Sequence, residues 1–186
     1  MWWMCLLLLV APLGSAQTFS CGACPRVEPQ KGFEVQRYLG RWFEITKLPA
    51  SFERGKCIEA NYALRQDGTI EVLNKQMEQP GTLTPIVGTA VIRNQSEPAK
   101  LAVGFSYYSL PGMYWVLYTD YDSVTVVYSC TDILRLFRVE FGWVLARNRT
   151  LSDETRAMAE GVLEKAGVKL CQLIPTDQTG CSVDTL

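Results

Sequence analysis

Apolar and polar side chains alternate with a period of two over short stretches that recur along most of the chain. Ile58, Ala60, Tyr62 and Leu64 share one face, while Glu59, Asn61 and Arg65 take the other, as in a strand with one buried and one wet side. The same phase runs through Ile70, Val72 and Asn74, and through Leu101, Val103, Phe105 and Tyr107. It returns in Val139, Phe141, Trp143 and Leu145, where Arg138 and Glu140 are expected to face water. Turn-forming clusters separate the runs: Gln66-Asp67-Gly68, Gln79-Pro80-Gly81, Leu110-Pro111-Gly112 and Asp120-Tyr121-Asp122-Ser123. From Arg41 onward the pattern predicts eight strands, near 41–48, 56–66, 69–77, 83–93, 100–107, 113–119, 124–130 and 137–146.

Short links between consecutive strands indicate an antiparallel up-and-down meander. An open meander leaves two unpaired edges, whereas closure of eight strands gives a barrel whose interior holds one small ligand. The expected fold is therefore all-β, an eight-stranded antiparallel β-barrel; a two-sheet sandwich is the competing architecture. After the last strand the period changes. Ser152 is placed to cap a helix whose first turn carries Asp153 and Glu154 against the positive end of the dipole. Met158, Val162 and Ala166 fall on one face and Gly167 supplies the stop, so one C-terminal α-helix of about fourteen residues is expected to pack outside the barrel.

Residues 5–14 form a short apolar run ending in Gly14-Ser15-Ala16, the small-residue pattern of a cleavable signal peptide, although no basic side chain precedes it. The run falls short of the roughly 20 apolar residues that span a bilayer, so residues 1–16 are expected to be removed and no transmembrane segment is expected. The remaining 17–186 suit a single domain in a secreted, extracellular protein. Net charge is −1 with the basic residues scattered, which argues against nucleic acid as a partner. Losing the leader removes Cys5 and leaves Cys21, Cys24, Cys57, Cys130, Cys171 and Cys181, an even set for which disulfides are the default in an oxidising compartment. A redox role for Cys21-Gly22-Ala23-Cys24 lacks a surrounding βαβ unit, and a four-cysteine zinc site lacks the spacings. Histidine is absent, which excludes Ser-His-Asp and Cys-His nucleophile systems and imidazole-bound metals. No catalytic residue, metal or cofactor is expected, and the protein is read as a non-enzyme.

Three separated patterns then coincide: Gly40-Arg41-Trp42 at the first strand, Thr119-Asp120-Tyr121 at the end of the sixth, and Arg147 just past the eighth. Together they resemble the three signature regions of the lipocalin family. The likeness continues in Cys57-Ile58-Glu59-Ala60-Asn61-Tyr62, Glu97-Pro98-Ala99-Lys100-Leu101 and Leu145-Ala146-Arg147-Asn148, which resemble one disulfide-bonded branch of it. The resemblance implies that Trp42 plugs the closed end under the Arg147 guanidinium, a cation–π contact of about 0.5–2 kcal/mol. It also implies pairing of Cys24 with Cys130 and of Cys57 with Cys181. Cys21 and Cys171 have no counterpart in that pattern, and a third bridge between them is the favoured expectation over pairing between chains or free thiols. Asp132 stands where some relatives carry a further cysteine. Asn94-Gln95-Ser96 and Asn148-Arg149-Thr150 satisfy the glycosylation rule, with Asn94 the better site.

By the same resemblance Tyr62, Asn74, Phe105, Tyr114 and Trp143 match ligand-lining positions, and the strand phase adds Tyr118 as a phenol that shortens the lower lumen. Four of the five matches are aromatic and offer flat apolar surface, while Asn74 offers one polar handle. The expected function is carriage of a small hydrophobic ligand: a steroid such as progesterone, a fatty acid such as arachidonate, or a similar lipid. Two other roles compete. Met113 at the expected mouth could reduce lipid hydroperoxides and become a sulfoxide, and Tyr107, Tyr108 and Leu110 could dock on lipoprotein particles or a cell-surface receptor.

Overall fold

A computed structural model describes residues 18–105 and 111–181; the expected leader at 1–16 and the docking residues Tyr107, Tyr108 and Leu110 lie outside the described residues. In chain order the elements are β1 (Thr18–Cys21), α1 (Val35–Tyr38), β2 (Gly40–Lys47), β3 (Lys56–Leu64), β4 (Ile70–Glu78), β5 (Thr82–Ile92) and β6 (Lys100–Gly104). There follow β7 (Gly112–Thr119), β8 (Val124–Ile133), β9 (Phe137–Ala146), α2 (Asp153–Lys165), a one-turn 3-10 helix (Leu170–Gln172) and β10 (Ile174–Pro175).

Strands β2 to β9 pair antiparallel with their neighbours in sequence order, and β9 returns to pair with β2, so the barrel closes. The closing seam sets Phe43 opposite Ala146 and Lys47 opposite Trp143, with a bulge between Glu44 and Thr46. Closure satisfies the two edges that an open meander leaves unpaired. Two short strands extend this seam. β1 pairs with the first residues of β9, Thr18 opposite Glu140 and Cys21 opposite Phe137, and β10 pairs with the end of β2. Their brevity leaves too few alternating positions to read from sequence.

Period-two alternation sorts the apolar side chains into two cores. Trp42, Tyr62, Val72, Leu101, Val116, Val127 and Leu145 point inward. Ile45, Val126, Tyr128 and Val144 point outward and are covered by α2 through Ala159 and Leu163. Ser152 caps α2, its Oγ accepting the Thr155 N–H at 3.2 Å. The helix comes so close to β9 that a Cβ on Gly142 would lie 3.3 Å from Leu163 Cδ2.

Four local expectations change. The buried stripe of α2 is Ala159, Leu163 and Ala166, whereas Met158 is 41 % exposed, because one residue rotates the helix by about 100°. Glu140 is buried, not wet: β1 covers it, with Ser20 Oγ donating at 2.6 Å, Tyr128 Oη donating at 2.8 Å and Arg138 paired at 3.3 Å. β6 ends at Gly104 and Phe105 sits in the bend beyond it. Disulfides join Cys24 to Cys130 and Cys57 to Cys181, but no third bridge joins Cys21 and Cys171, both exposed. Separate elements hold those two residues: β1 fixes Cys21 opposite Phe137, and Cys171 lies in the 3-10 turn.

The two bridges tie the N-terminal segment to β8 and the C-terminal segment to β3, across 106 and 124 residues. Loops of that length correspond to about 4–5 kcal/mol each in the chain-entropy account. Asp132, where some relatives carry a cysteine, accepts the Cys24 backbone N–H at 2.7 Å and helps fix the same N-terminal segment.

Candidate ligand-binding site

The barrel is sealed at one end. Trp42 is fully buried and its Nε1 donates to the Tyr38 carbonyl at 2.8 Å. The Arg147 guanidinium lies 3.7 Å from the centroid of the Trp42 ring. From there it donates to the carbonyls of Tyr121 (2.9 Å), Arg41 (2.8 Å) and Arg37 (3.0 Å). Gly40 has φ +91°, and a Cβ there would stand 3.4 Å from Arg147 Nη1, so glycine serves both the turn and the approach of the guanidinium. Thr119 Oγ1 accepts the Tyr121 N–H at 2.9 Å. Asp120 accepts three backbone N–H groups, from Asp122, Ser123 and Val124. Burial works against the Asp120 charge, but these bonds and that from Ser123 outweigh it and hold the carboxyl below the usual range. The six signature residues thus build the floor and its adjoining turn.

Above the floor three phenols form a chain, Tyr38 to Tyr114 at 2.8 Å and Tyr114 to Tyr62 at 2.7 Å. Burial pushes Tyr38 up to about 12 and carries Tyr62 and Tyr114 well above their ordinary value, so all three are neutral at physiological pH and close the lumen from below.

Over this layer opens a cavity of about 580 Å³. Tyr62, Asn74, Phe105, Tyr114 and Trp143 all line it, from β3, β4, the bend after β6, β7 and β9. Phe105 and Met113 stand at its rim, each 37 % exposed. Asn74 Oδ1 is buried and accepts no hydrogen bond from the described residues. An orphan acceptor costs about 1–3 kcal/mol, which a donor on a ligand would offset.

Tyr118 is not in the lumen. A bulge between Val116 and Tyr118 breaks the register of β7 on β8, so Val116 faces inward while Leu117 and Tyr118 both pack into the outer core beneath α2. An inserted residue shifts the alternation by one position.

The sequence reading missed the polar wall. Lys47 Nζ, buried, lies 3.0 Å from Glu44 Oε1 and 3.6 Å from Glu53 Oε2, and donates to the Glu53 carbonyl at 2.8 Å. Glu53 Oε2 also accepts from Trp143 Nε1 at 3.0 Å. Burial, and then the neighbouring Glu53, push the Glu44 carboxyl up to about 8 despite Lys47 and the Thr176 hydroxyl that bonds to it. Period two signalled this: if Trp42 points inward, so does Glu44. Phe52 carries the aromatic surface outward, packing 5.5 Å from Phe141, which stacks 5.8 Å from Trp143.

Among the described residues no group of acidic, cysteine or histidine side chains could hold a metal ion, and no helix is long and apolar enough to cross a membrane. A barrel sealed at one end by a Trp–Arg stack and open at the other onto an aromatic cavity defines a small-molecule binder. The family model for the lipocalin-like domain matches residues 33–178, and the chain belongs to the lipocalin family. It is 47 % identical to mouse (Mus musculus) apolipoprotein D over 165 residues, 89 % of this chain and 87 % of that protein. The bovine (Bos taurus) apolipoprotein D is 43 % identical, covering 95 % and 96 %. The bilin-binding protein of Pieris brassicae is 32 % identical over 88 % and 87 %. Among solved structures, insecticyanin from the tobacco hornworm Manduca sexta superposes with TM-score 0.77 at 25 % identity, covering 88 % and 90 %. Lobster apocrustacyanin A1 does so with TM-score 0.76 at 18 %, covering 91 % and 94 %, and shows the shared fold. Membership of this family and likeness to apolipoprotein D make the chain a carrier of small hydrophobic ligands and not an enzyme.

Proposed function

We propose that the protein is secreted and carries a steroid such as progesterone, a fatty acid such as arachidonate, or a similar lipid in the cavity beside Trp143. The observation that carries this reading is the cavity itself: about 580 Å³ of aromatic-lined space into which Asn74 brings a buried acceptor, Oδ1, without a partner among the described residues. Burying roughly 300 Å² of apolar ligand at about 25 cal/mol per Å² contributes about 7–8 kcal/mol before ordering costs, which corresponds to micromolar affinity. The name of the Pieris relative, bilin-binding protein, points the same way, since a bilin is a small conjugated organic molecule. The Gly14-Ser15-Ala16 pattern and two disulfides support secretion. Asn94 and Asn148 are both exposed and are proposed to carry glycans.

The test is a titration of delipidated protein with progesterone and arachidonate, followed by tryptophan fluorescence, with Trp143→Phe as the control. Saturable quenching that largely disappears in the variant is the expected result. No quenching in an oxidised, folded sample would overturn the reading. Met113 at the rim supports a second role, the reduction of lipid hydroperoxides with formation of its sulfoxide. Sulfoxide appearing at the half-buried Met77 as readily as at Met113 would count as ordinary oxidation and remove that role.

A further inference from the structure

Strands alone do not make the wall beside Trp143. The 48–55 segment between β2 and β3 crosses it and contributes Phe52 and Glu53 to the cavity lining. Its backbone is pinned at several points. Lys47 Nζ donates to the Glu53 carbonyl at 2.8 Å, the Glu53 N–H to the Ala50 carbonyl at 3.3 Å, and the Gly55 N–H to Gln76 Oε1 at 3.1 Å. The segment runs so close to β4 that a Cβ on Gly55 would stand 2.6 Å from the Met77 carbonyl oxygen. From this fixed base it reaches the aromatic wall twice: Phe52 packs on Phe141, and Glu53 Oε2 accepts from Trp143 Nε1 at 3.0 Å.

A tryptophan side chain has two soft torsions to restrain. Here the Phe141 ring lies 5.8 Å from the indole and within 17° of parallel, while Glu53 holds the Nε1 edge. That N–H is the one donor of the ring, so with Glu53 in place the indole offers a ligand apolar surface alone. Lys47 Nζ, 3.6 Å from Glu53 Oε2 and so beyond hydrogen-bonding distance, adds an ion-pair contact to the same oxygen.

We infer that Glu53 is the positioning residue for Trp143, and that by fixing the indole it favours flat, rigid ligands over flexible chains. The inference rests on the cavity being the ligand site. A rigid polycycle cannot change shape to follow a displaced wall, so its affinity depends on the wall being ordered before it arrives. A flexible chain bends to the surface it meets and loses less when the indole is free. Removing the Glu53 acceptor also deprives a half-buried N–H of its partner, which turns the ring toward other acceptors.

The experiment is equilibrium dialysis of delipidated, oxidised protein with labelled progesterone, and with labelled arachidonate below its micelle concentration, in wild type, Glu53→Gln and Glu53→Leu. The order of the indole is read from near-ultraviolet circular dichroism, as the difference between each protein and its Trp143→Phe counterpart. Both replacements remove the charge and keep the Lys47 bond to the carbonyl of residue 53, so the comparison between them isolates the hydrogen bond to Trp143. Glu53→Gln, whose amide oxygen still accepts from the indole, is expected to keep the Trp143 signal. Relative to it, Glu53→Leu should erase the signal and weaken progesterone about fivefold, but arachidonate less than about twofold. If Glu53→Leu does not fold, Glu53→Ala carries the same expectations. A Trp143 signal that survives the loss of the acceptor overturns the positioning role, as does a glutamine variant no better than leucine in either readout. Equal weakening of the two ligands overturns the preference for flat ones and leaves carriage standing. If the wild type binds neither ligand, the cavity reading falls and this inference with it.

Discussion

The two ends of the lumen are built on opposite terms. At the closed end the polar groups of the plug find partners: Trp42 Nε1 has the Tyr38 carbonyl, and the Arg147 guanidinium has four carbonyls and an indole face. The phenols above it bond to one another and stay neutral. At the open end Asn74 Oδ1 has no partner among the described residues, and two glutamates share one lysine. Satisfied polar groups hold a shape, whereas unsatisfied ones lower their energy when something binds. The floor is therefore the structural half of the barrel and the upper wall the recognition half.

The hardest test of that division is Trp42→Ala. Loss of a fully buried indole should cost about 3–5 kcal/mol, read as a lower denaturant midpoint at unchanged disulfide content. Affinity for progesterone in the molecules that remain folded should change by less than a few-fold, since Trp42 does not line the cavity. Unchanged stability with lost binding would reverse the assignment of the two ends.

At the other end the prediction concerns pH. Glu44 titrates near 8 in the folded chain against an ordinary 4.5, so the folded state binds more protons than the unfolded state between those values. The stabilisation from that proton is complete below about pH 4.5 and is lost as pH rises through about 8. Stability in this window should fall by up to about 1.4 kcal/mol per pH unit from this group. Urea unfolding from pH 5 to pH 9 should show the decline, and Glu44→Gln should flatten it. A wild-type slope matching that of the variant would mean that burial and Glu53 do not hold a proton on Glu44.

Legibility in the sequence divided along similar lines. The eight strands, the capped helix and the floor could be read because each rests on local periodicity or on separated signatures such as Gly40-Arg41-Trp42 and Arg147. The cavity-lining positions Tyr62, Asn74, Phe105, Tyr114 and Trp143 were legible through the family resemblance, since alternation alone does not say which phase of a strand points inward. What could not be read depends on contacts between distant segments. Burial of Glu140 requires β1, more than a hundred residues away in sequence. The Lys47–Glu53 latch requires the course of the 48–55 segment. Position 118 failed for a different reason: alternation carried past a bulge gives the wrong face for every later residue of the strand.

That failure yields the smallest predicted effect. As a floor residue Tyr118 would shorten the cavity, and Tyr118→Ala would lengthen it and favour long acyl chains. Beneath α2, where it packs with Leu117 and Val162 around Val126 and Leu163, the same change removes part of the outer core. Because the ring is only half-buried, the expected loss is about 1 kcal/mol, well short of that for a fully enclosed aromatic. Affinities for progesterone and arachidonate should stay within twofold of the wild type. A selective gain for arachidonate would return Tyr118 to the lumen and show that the bulge after Val116 does not hold in solution.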